Sequence, residues 1–183
     1  MEYKRILAAF CALVMISLPS LGRAQDRAEE LLQELSQAET EVAAQRLENQ
    51  IISEWSKSGS ASMDLLLKRG RDALEVKDSA AAIEHFYALT DHAPEFAEGW
   101  HGLALAYFEA ERFGPAMDAL EHVLALNPDH FAALRGVGAI NEQVGKPILA
   151  YRAFEKVLEL RPHDPNVSQA MERLEREAIG ITL

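Results

Sequence analysis

Three prolines, Pro94, Pro128 and Pro162, stand 34 residues apart in this 183-residue chain, and other residue types recur at the same interval. The recurring positions carry alanine, an aromatic residue or leucine, an aliphatic residue, and a glycine or alanine: Ala82, Ala116 and Ala150; Phe86, Leu120 and Phe154; Leu89, Val123 and Val157; Gly70, Ala104 and Gly138. A fixed period of this length is typical of a solenoid, in which each unit is too small to bury its own apolar face. Since solenoids act by presenting a surface, the search for function starts with a groove.

We predict that each unit consists of two antiparallel helices, which makes the fold class all-α. In the middle unit, the stretch 98–110 places apolar and small side chains on one helical face, namely Trp100, Leu103, Ala104 and Tyr107. The pattern breaks at residues 112–114, and Pro115 suits the first turn of a second helix, where its missing N–H costs nothing. That helix should end before Pro128, because proline disfavours helical geometry in the residue that precedes it.

These features resemble the tetratricopeptide repeat (TPR) family, whose pattern is Trp, Leu, Gly or Ala and Tyr on a first helix, then Ala, an aromatic or Leu, and Pro. The matches fall in three units, 63–96, 97–130 and 131–164. The first unit matches through Leu66, Gly70, Ala82, Phe86 and Pro94, and the second through Trp100, Leu103, Ala104, Tyr107, Ala116, Leu120 and Pro128. The third matches through Leu134, Val137, Gly138, Ala150, Phe154 and Pro162. Arg69 and Asn141 depart from the usual Leu and Tyr. The resemblance implies a helix-turn-helix solenoid that binds proteins or peptides without chemistry of its own.

Residues 1–24 have the order of a secretory signal peptide. Lys4 and Arg5 precede an apolar run from residue 6 to residue 18, and a small-residue site ends at Ala24. The run is shorter than the roughly 20 residues that a membrane span needs. We therefore expect bacterial export to the periplasm, with an extracellular destination or an uncleaved anchor as alternatives. Because Cys11 lies inside this segment, cleavage would leave a chain without cysteine chemistry.

The segment between the signal and the repeats, 25–62, predicts one or two amphipathic helices and a Ser-rich connection. Its helical part, 26–56, carries two apolar stripes: Leu31, Leu35, Ala38 and Val42, then Leu47, Ile51 and Trp55. Thr40 can cap a new helix at a join. A continued heptad would bring Gln45 and Asn49 into the seam, so we favour packing on the first repeat over a coiled-coil stalk. After the repeats, residues 165–183 predict a capping helix and tail, with Asp164 as its cap and an apolar stripe of Val167, Met171 and Leu174.

Composition and motifs disfavour several function classes. The formal net charge of −11 disfavours nucleic acid and anionic lipid, both of which are bound through cationic contacts. The six histidines are scattered, and the sequence contains neither an HExxH motif, nor a Gly-x-Ser-x-Gly turn, nor a glycine-rich phosphate loop. We therefore predict no catalytic residue, no metal site and no cofactor.

The candidate site is the face of the first helices that lies opposite the Trp100 and Tyr107 face. In the TPR family this face lines the concave groove, and the resemblance carries nine positions over: Leu67, Arg71, Leu74, His101, Leu105, Phe108, Arg135, Ala139 and Glu142. Apolar side chains at 105 and 108, beside two arginines, suit a peptide with hydrophobic anchors. Leu67 and Arg71 stand where carboxylate-gripping members use Lys and Asn, which argues against such a clamp. Alternatively, a helix of the same chain fills the groove.

These features predict a non-enzymatic, monomeric periplasmic adaptor that binds a segment of one partner protein. Two alternatives remain from the sequence. The first is a structural envelope oligomer in which residues 26–56 form a coiled-coil stalk, and the second is a chaperone-like holdase for exported chains. The broken heptad argues against the stalk, and a single small groove argues against a general holdase.

The signal-peptide prediction is tested by the mass of the exported protein. We expect the chain to be cut after Ala24, so that the form in the periplasmic fraction begins at Gln25. Intact-mass spectrometry of fractionated cells measures this directly. Retention of Met1 in the membrane fraction would instead show an uncleaved anchor.

Overall fold

The computed structural model describes residues 20–181, so most of the proposed signal segment lies outside the described residues. Within that range the chain forms helices and no strand, as the repeat pattern predicts. In chain order the helices are α1 (Ser20–Ser36), α2 (Glu41–Trp55), α3 (Ala61–Glu75), α4 (Ser79–His92), α5 (Ala97–Glu109), α6 (Phe113–Leu126), α7 (Phe131–Gln143), α8 (Pro147–Leu160) and α9 (Pro165–Ile181). None of the described helices is both long enough and apolar enough to cross a membrane.

Three helix pairs, α3–α4, α5–α6 and α7–α8, stack as the repeats of a solenoid. The turn inside each pair has a left-handed residue at an equivalent position, Lys77, Glu111 or Gly145, with φ of 61°, 56° and 72°. The next N–H donates back to a carbonyl five residues earlier, as from Arg112 to Tyr107 at 2.8 Å, which is the Schellman end of a helix. The identical geometry of the three turns gives the pairs one common shape.

The prolines of the repeat lie in the connections between pairs. Helices α4, α6 and α8 each end two residues before a proline, at His92, Leu126 and Leu160. In the last connection, Asp164 Oδ1 accepts from the backbone N–H of Val167 at 3.1 Å and so caps α9, as the sequence predicts. Helix α9 then covers the last pair with Val167, Ala170 and Leu174, which are buried against α8.

Glycines within the repeat helices admit large aromatic side chains from the partner helix. Phe86 is fully buried, and a Cβ built on Gly70 or Gly102 would lie 2.6 Å or 2.2 Å from its ring. In the third repeat, a Cβ on Gly138 would lie 2.3 Å from Phe154. Close helix packing therefore requires glycine at these positions.

The segment before the repeats forms an antiparallel pair, α1 and α2, which we call the N-terminal hairpin. Thr40 caps α2 by accepting from the Ala43 N–H at 3.2 Å, which confirms the predicted join. Its apolar core is formed by the buried side chains Leu31, Leu35, Ala44, Leu47 and Ile51. Val42 is 81% exposed, so its assignment to the apolar stripe is wrong: the chain turns at residues 37–40, and the helical phase restarts there.

The N-terminal hairpin packs mainly on the third repeat, where we expected the first. Its apolar side surrounds Phe131 of α7, with Ala132 and Leu160 beside it. The hairpin's partners lie in the third repeat: Phe131 is fully buried among its apolar side chains, and Glu48 pairs with Arg135 and Arg161. The short connection between α2 and α3 lets the hairpin lie along the solenoid instead of continuing it.

The close approach of α7 and α8 can be tested at a single glycine. Replacing Gly138 by Ala should destabilise the chain by about 1–3 kcal/mol, the usual cost of overpacking a tight site, because the new methyl group meets the Phe154 ring. Urea denaturation measures the change. Gly114→Ala is the matched control, since nothing lies within 4 Å of its added Cβ. An equal effect of the two substitutions would contradict the packing.

Candidate functional site

The nine residues predicted for the groove lie on α3, α5 and α7, the first helices of the three repeats. Leu105 is 41% exposed, whereas Leu74, Phe108 and Ala139 are partly buried beside it. The prediction that Leu67 lines the groove is wrong. Its side chain is 3% exposed and belongs to the core of the first repeat, with Phe86 and Leu103, so it offers no surface to a partner.

An open cavity of about 290 Å³ lies between α5 and α7. Its walls are almost entirely apolar and include three of the predicted positions, Leu105, Phe108 and Ala139, together with Leu120 and Ile140. His101 and Arg135 contribute its polar edge. The structure therefore brings the central predicted residues together around a space that fits large apolar side chains.

The two groove arginines are engaged by carboxylates of the same chain. Arg71 donates to Glu98 at 2.5 Å and to Ser56 at 3.0 Å. Arg135 lies between two acids, 2.9 Å from Glu48 and 3.0 Å from Asp164. Neither guanidinium is an isolated cation awaiting a ligand, which removes the expected electrostatic contribution of both arginines to peptide binding.

Glu142, the remaining predicted position, lies at the far edge of the groove. Its carboxylate forms an ion pair with Arg173 of α9 at 2.9 Å, and both side chains are partly exposed. Exposed pairs of this kind contribute little to stability, and Glu142 does not line the open cavity.

Part of the concave face is covered by the N-terminal hairpin. The Trp55 ring stacks on His130 with the ring centroids 4.5 Å apart and also contacts Phe131. Ile52 of α2 forms one wall of a second cavity of about 210 Å³, which Leu74, His101 and Leu105 also line. The alternative in which the chain fills its own groove is thus correct for this end, while the side around Leu105 and Phe108 stays open.

The buried Glu98 and His130 and the partly buried His101 form a cluster at the floor of the groove, with their ligand atoms within 4.8 Å of one another. The donor types would suit zinc. However, His130 Nδ1 accepts from the Ala133 N–H at 3.1 Å, so the ring proton is on Nε2, which bonds Glu98 Oε1 at 3.0 Å. A metal at Nε2 would have to remove that proton and break the bond to Glu98. A metal-ligating histidine normally donates from its other nitrogen, and His130 does the reverse. Glu98 and His130 are therefore joined by an internal hydrogen bond, with the His101 ring packed against His130.

Burial and charge set the ionisation of this cluster. Burial, reinforced by the neighbouring His130, lowers the pKa of His101 to about 3, so its ring is neutral. Burial opposes ionisation of Glu98, yet the hydrogen bond from His130 and the charge of Arg71 hold the pKa of Glu98 below its ordinary value. The groove floor thus carries one negative charge, matched by Arg71, and a neutral imidazole that faces the open cavity.

Sequence reasoning missed Glu48 and assigned Trp55 only to an apolar stripe. A signal for Glu48 exists, because it shares a helical face with Ala44 and Ile51, where a charged side chain must have a partner if that face is buried. Those partners, Arg135 and Arg161, lie far along the chain.

The neutrality of His101 has a consequence for stability that can be measured. Between its unfolded pKa of 6.5 and its folded pKa of about 3, the unfolded chain binds a proton that the folded chain does not. The contribution of this site to stability is therefore complete above pH 6.5 and falls as the pH decreases, by at most about 1.4 kcal/mol per pH unit. We expect the free energy of unfolding in urea to fall from pH 7 to pH 5, and to fall less in His101→Asn. Parallel curves for the two proteins would contradict the assignment.

Comparisons with known proteins agree with this architecture. A sequence model of the tetratricopeptide repeat matches residues 103–175. A TPR repeat-containing protein of Rhizobium etli is 30% identical over 156 residues, which cover 85% of this chain and 76% of that protein. Protein FlbA of Caulobacter vibrioides is 29% identical over 119 residues, which cover 63% of this chain but only 20% of FlbA.

Solved structures share the fold, among them two peptide complexes. The first TPR of Spaghetti (RPAP3), bound to an HSP90 peptide, superposes with a TM-score of 0.62 at 22% identity and covers 64% of this chain and 93% of its own. The Yersinia enterocolitica type III secretion chaperone SycD, in complex with a peptide of the translocator YopD, gives a TM-score of 0.61 at 14% identity, with 65% and 96% covered. The repeats, their stacking and the Rhizobium relative together show that this chain belongs to the tetratricopeptide repeat family.

Proposed function

We propose that this chain is a non-enzymatic adaptor that holds a segment of a partner protein against the open part of its concave face. The observation that carries the proposal is the apolar cavity of about 290 Å³ around Leu105 and Phe108. A surface meant only for solvent would carry charged side chains at these positions, and an interface anchor needs an apolar pocket that excludes water.

The state of the arginines indicates what kind of segment would bind. Because Arg71 and Arg135 are already paired with carboxylates of this chain, a bound peptide gains little from an acidic group beside them. Affinity would come from one or two large apolar side chains entering the cavity between α5 and α7. The peptide complexes of Spaghetti and SycD support a peptide partner for a fold of this shape.

The cellular setting belongs to the same proposal. The signal-like residues 1–24 support export to the periplasm, and the described core residues of α1, Ala28, Leu31 and Leu35, lie after the proposed cleavage site. Removal of residues 1–24 would therefore leave these core contacts of the N-terminal hairpin in place. The acidic surface supports a protein partner over nucleic acid or anionic lipid. We propose that the exported chain acts as a monomer.

The structure disfavours the stalk alternative. Leu31, Leu35, Leu47 and Ile51, which a coiled-coil stalk would use for self-association, are buried inside a single chain. A general holdase is disfavoured by size, since the open cavity has room for a few side chains only. An adaptor requires neither self-association nor an extended apolar surface.

The test is a paired comparison of two double substitutions. Leu105→Ser with Phe108→Ser should reduce capture of the partner from periplasmic extract about thirtyfold or more, since a buried interface anchor typically contributes 2 kcal/mol. Thermal unfolding should change little, because Leu105 is exposed, with a small loss from the contact of Phe108 with Phe113.

The matched control is Ile148→Ser with Leu149→Ser on α8, where the side chains are 48% and 47% exposed and lie outside the groove. We expect this pair to leave capture unchanged when crosslinked partner is quantified by mass spectrometry. Equal capture by both double variants would contradict the proposed site. A collapse of the melting temperature in the groove variant would show instead that these side chains serve the fold.

A further inference from the structure

A cleft separate from the concave groove lies between the N-terminal hairpin and the connections that precede α5 and α7. It has a volume of about 380 Å³ and shares no lining residue with either groove cavity. One wall comes from α1 and the end of α2, including Leu32 and Trp55, and the other from residues 95–97 and 126–129. The cleft exists because the hairpin packs on the third repeat and leaves the side facing the second repeat uncovered.

We call the apolar part of the cleft lining its floor. Leu32, Trp55, Phe96 and Leu126 supply it, and Leu126 is 41% exposed at the end of α6. The equivalent residue one repeat later, Leu160, packs against the hairpin. This repeat position is therefore covered by the hairpin in the third repeat and exposed in the second, which leaves an apolar surface beside the hairpin.

The rim of the cleft is acidic. Glu29, Glu95 and Asp129 are exposed, and no ion pair engages their carboxylates within the described part of the chain. A fourth acid, Glu54, is paired with Lys57 at 2.6 Å, and Lys57 is the one basic residue among those that line the cleft. The lining thus has three carboxylates in excess of its only cation, at the edge of an apolar floor.

We propose that this cleft binds a cationic amphipathic segment of a second protein, with an apolar side chain on the Trp55 and Leu126 floor and Lys or Arg at the acidic rim. The charge at the rim matches a cation and repels phosphate-bearing ligands such as nucleic acid and anionic lipid. Because exposed ion pairs contribute little each, the carboxylates alone do not hold a ligand. The ligand must also place an apolar side chain on the floor, which a simple polycation cannot do.

The probe is a fluorescein-labelled peptide of four Lys-Leu-Ser repeats, and fluorescence anisotropy with the purified full chain measures its binding. Two matched peptides separate the contributions: Glu-Leu-Ser repeats reverse the charge, and Lys-Ser-Ser repeats remove the apolar anchors. We expect saturable binding of the Lys-Leu-Ser peptide, at least tenfold weaker binding of the Lys-Ser-Ser peptide, and none of the Glu-Leu-Ser peptide.

Two sets of triple variants locate the binding. Neutralising the rim with Glu29→Gln, Glu95→Gln and Asp129→Asn should weaken binding of the Lys-Leu-Ser peptide at least tenfold. The control set, Glu84→Gln, Glu121→Gln and Glu155→Gln, removes the same charge from exposed positions on α4, α6 and α8 and should change the affinity less than twofold. Equal weakening by both sets would overturn the proposal in favour of attraction by the net charge of the chain.

The floor is tested at Leu126. Leu126→Ser should weaken binding of the Lys-Leu-Ser peptide about tenfold while the helicity of the chain is retained. Leu126→Met should retain the binding affinity of the unaltered chain. The groove pair Leu105→Ser and Phe108→Ser should leave this binding unchanged. Loss of binding in the groove pair would place the peptide in the concave face and overturn the inference, as would an unaffected Leu126→Ser variant or the absence of saturable binding.

Discussion

A buried ion network between α2 and the third repeat determines where the N-terminal hairpin lies. The Glu48 carboxylate is 2.9 Å from Arg135 and 3.0 Å from Arg161, and Asp164 approaches the same two guanidiniums at 3.0 and 2.6 Å. The side chains of Glu48, Arg161 and Asp164 are almost fully buried. Loss of one partner would leave an uncompensated buried charge, at a cost of about 3–5 kcal/mol. The network therefore permits one position of the hairpin, with its charges matched.

That position divides the surface of the solenoid into regions with different chemistry. At the start of α7, Trp55 covers His130 and Glu48 pairs with Arg135, which covers part of the concave face. Around Leu105 the same face stays open and apolar. Outside the groove, the uncovered edge of the hairpin leaves the acidic cleft beside Leu126. One intramolecular contact thus shapes both surfaces that we assign to partners.

The sequence predicts what repeats locally and misses what depends on long-range partners. The 34-residue period, the cap of α9 at Asp164 and the join at Thr40 all follow from neighbouring residues, and the structure has them. The pairing of Glu48 with Arg161 joins residues more than a hundred positions apart, and neither neighbourhood signals the other. Leu67 shows the same limit, because its groove position was carried over from the repeat phase, whereas its burial depends on Phe86 and Leu103.

Native-state hydrogen exchange tests most directly whether the hairpin and the third repeat form one cooperative unit. The amides of Glu48 and Ile51 in α2 should open with the same free energy as those of Phe154 and Val157 in α8. Glu48→Gln should lower the opening free energies of both sets of amides by the same amount, because the ion network joins the two helices. Faster exchange of α2, with α8 unaffected by the substitution, would show that the hairpin is an independent element and would contradict the account.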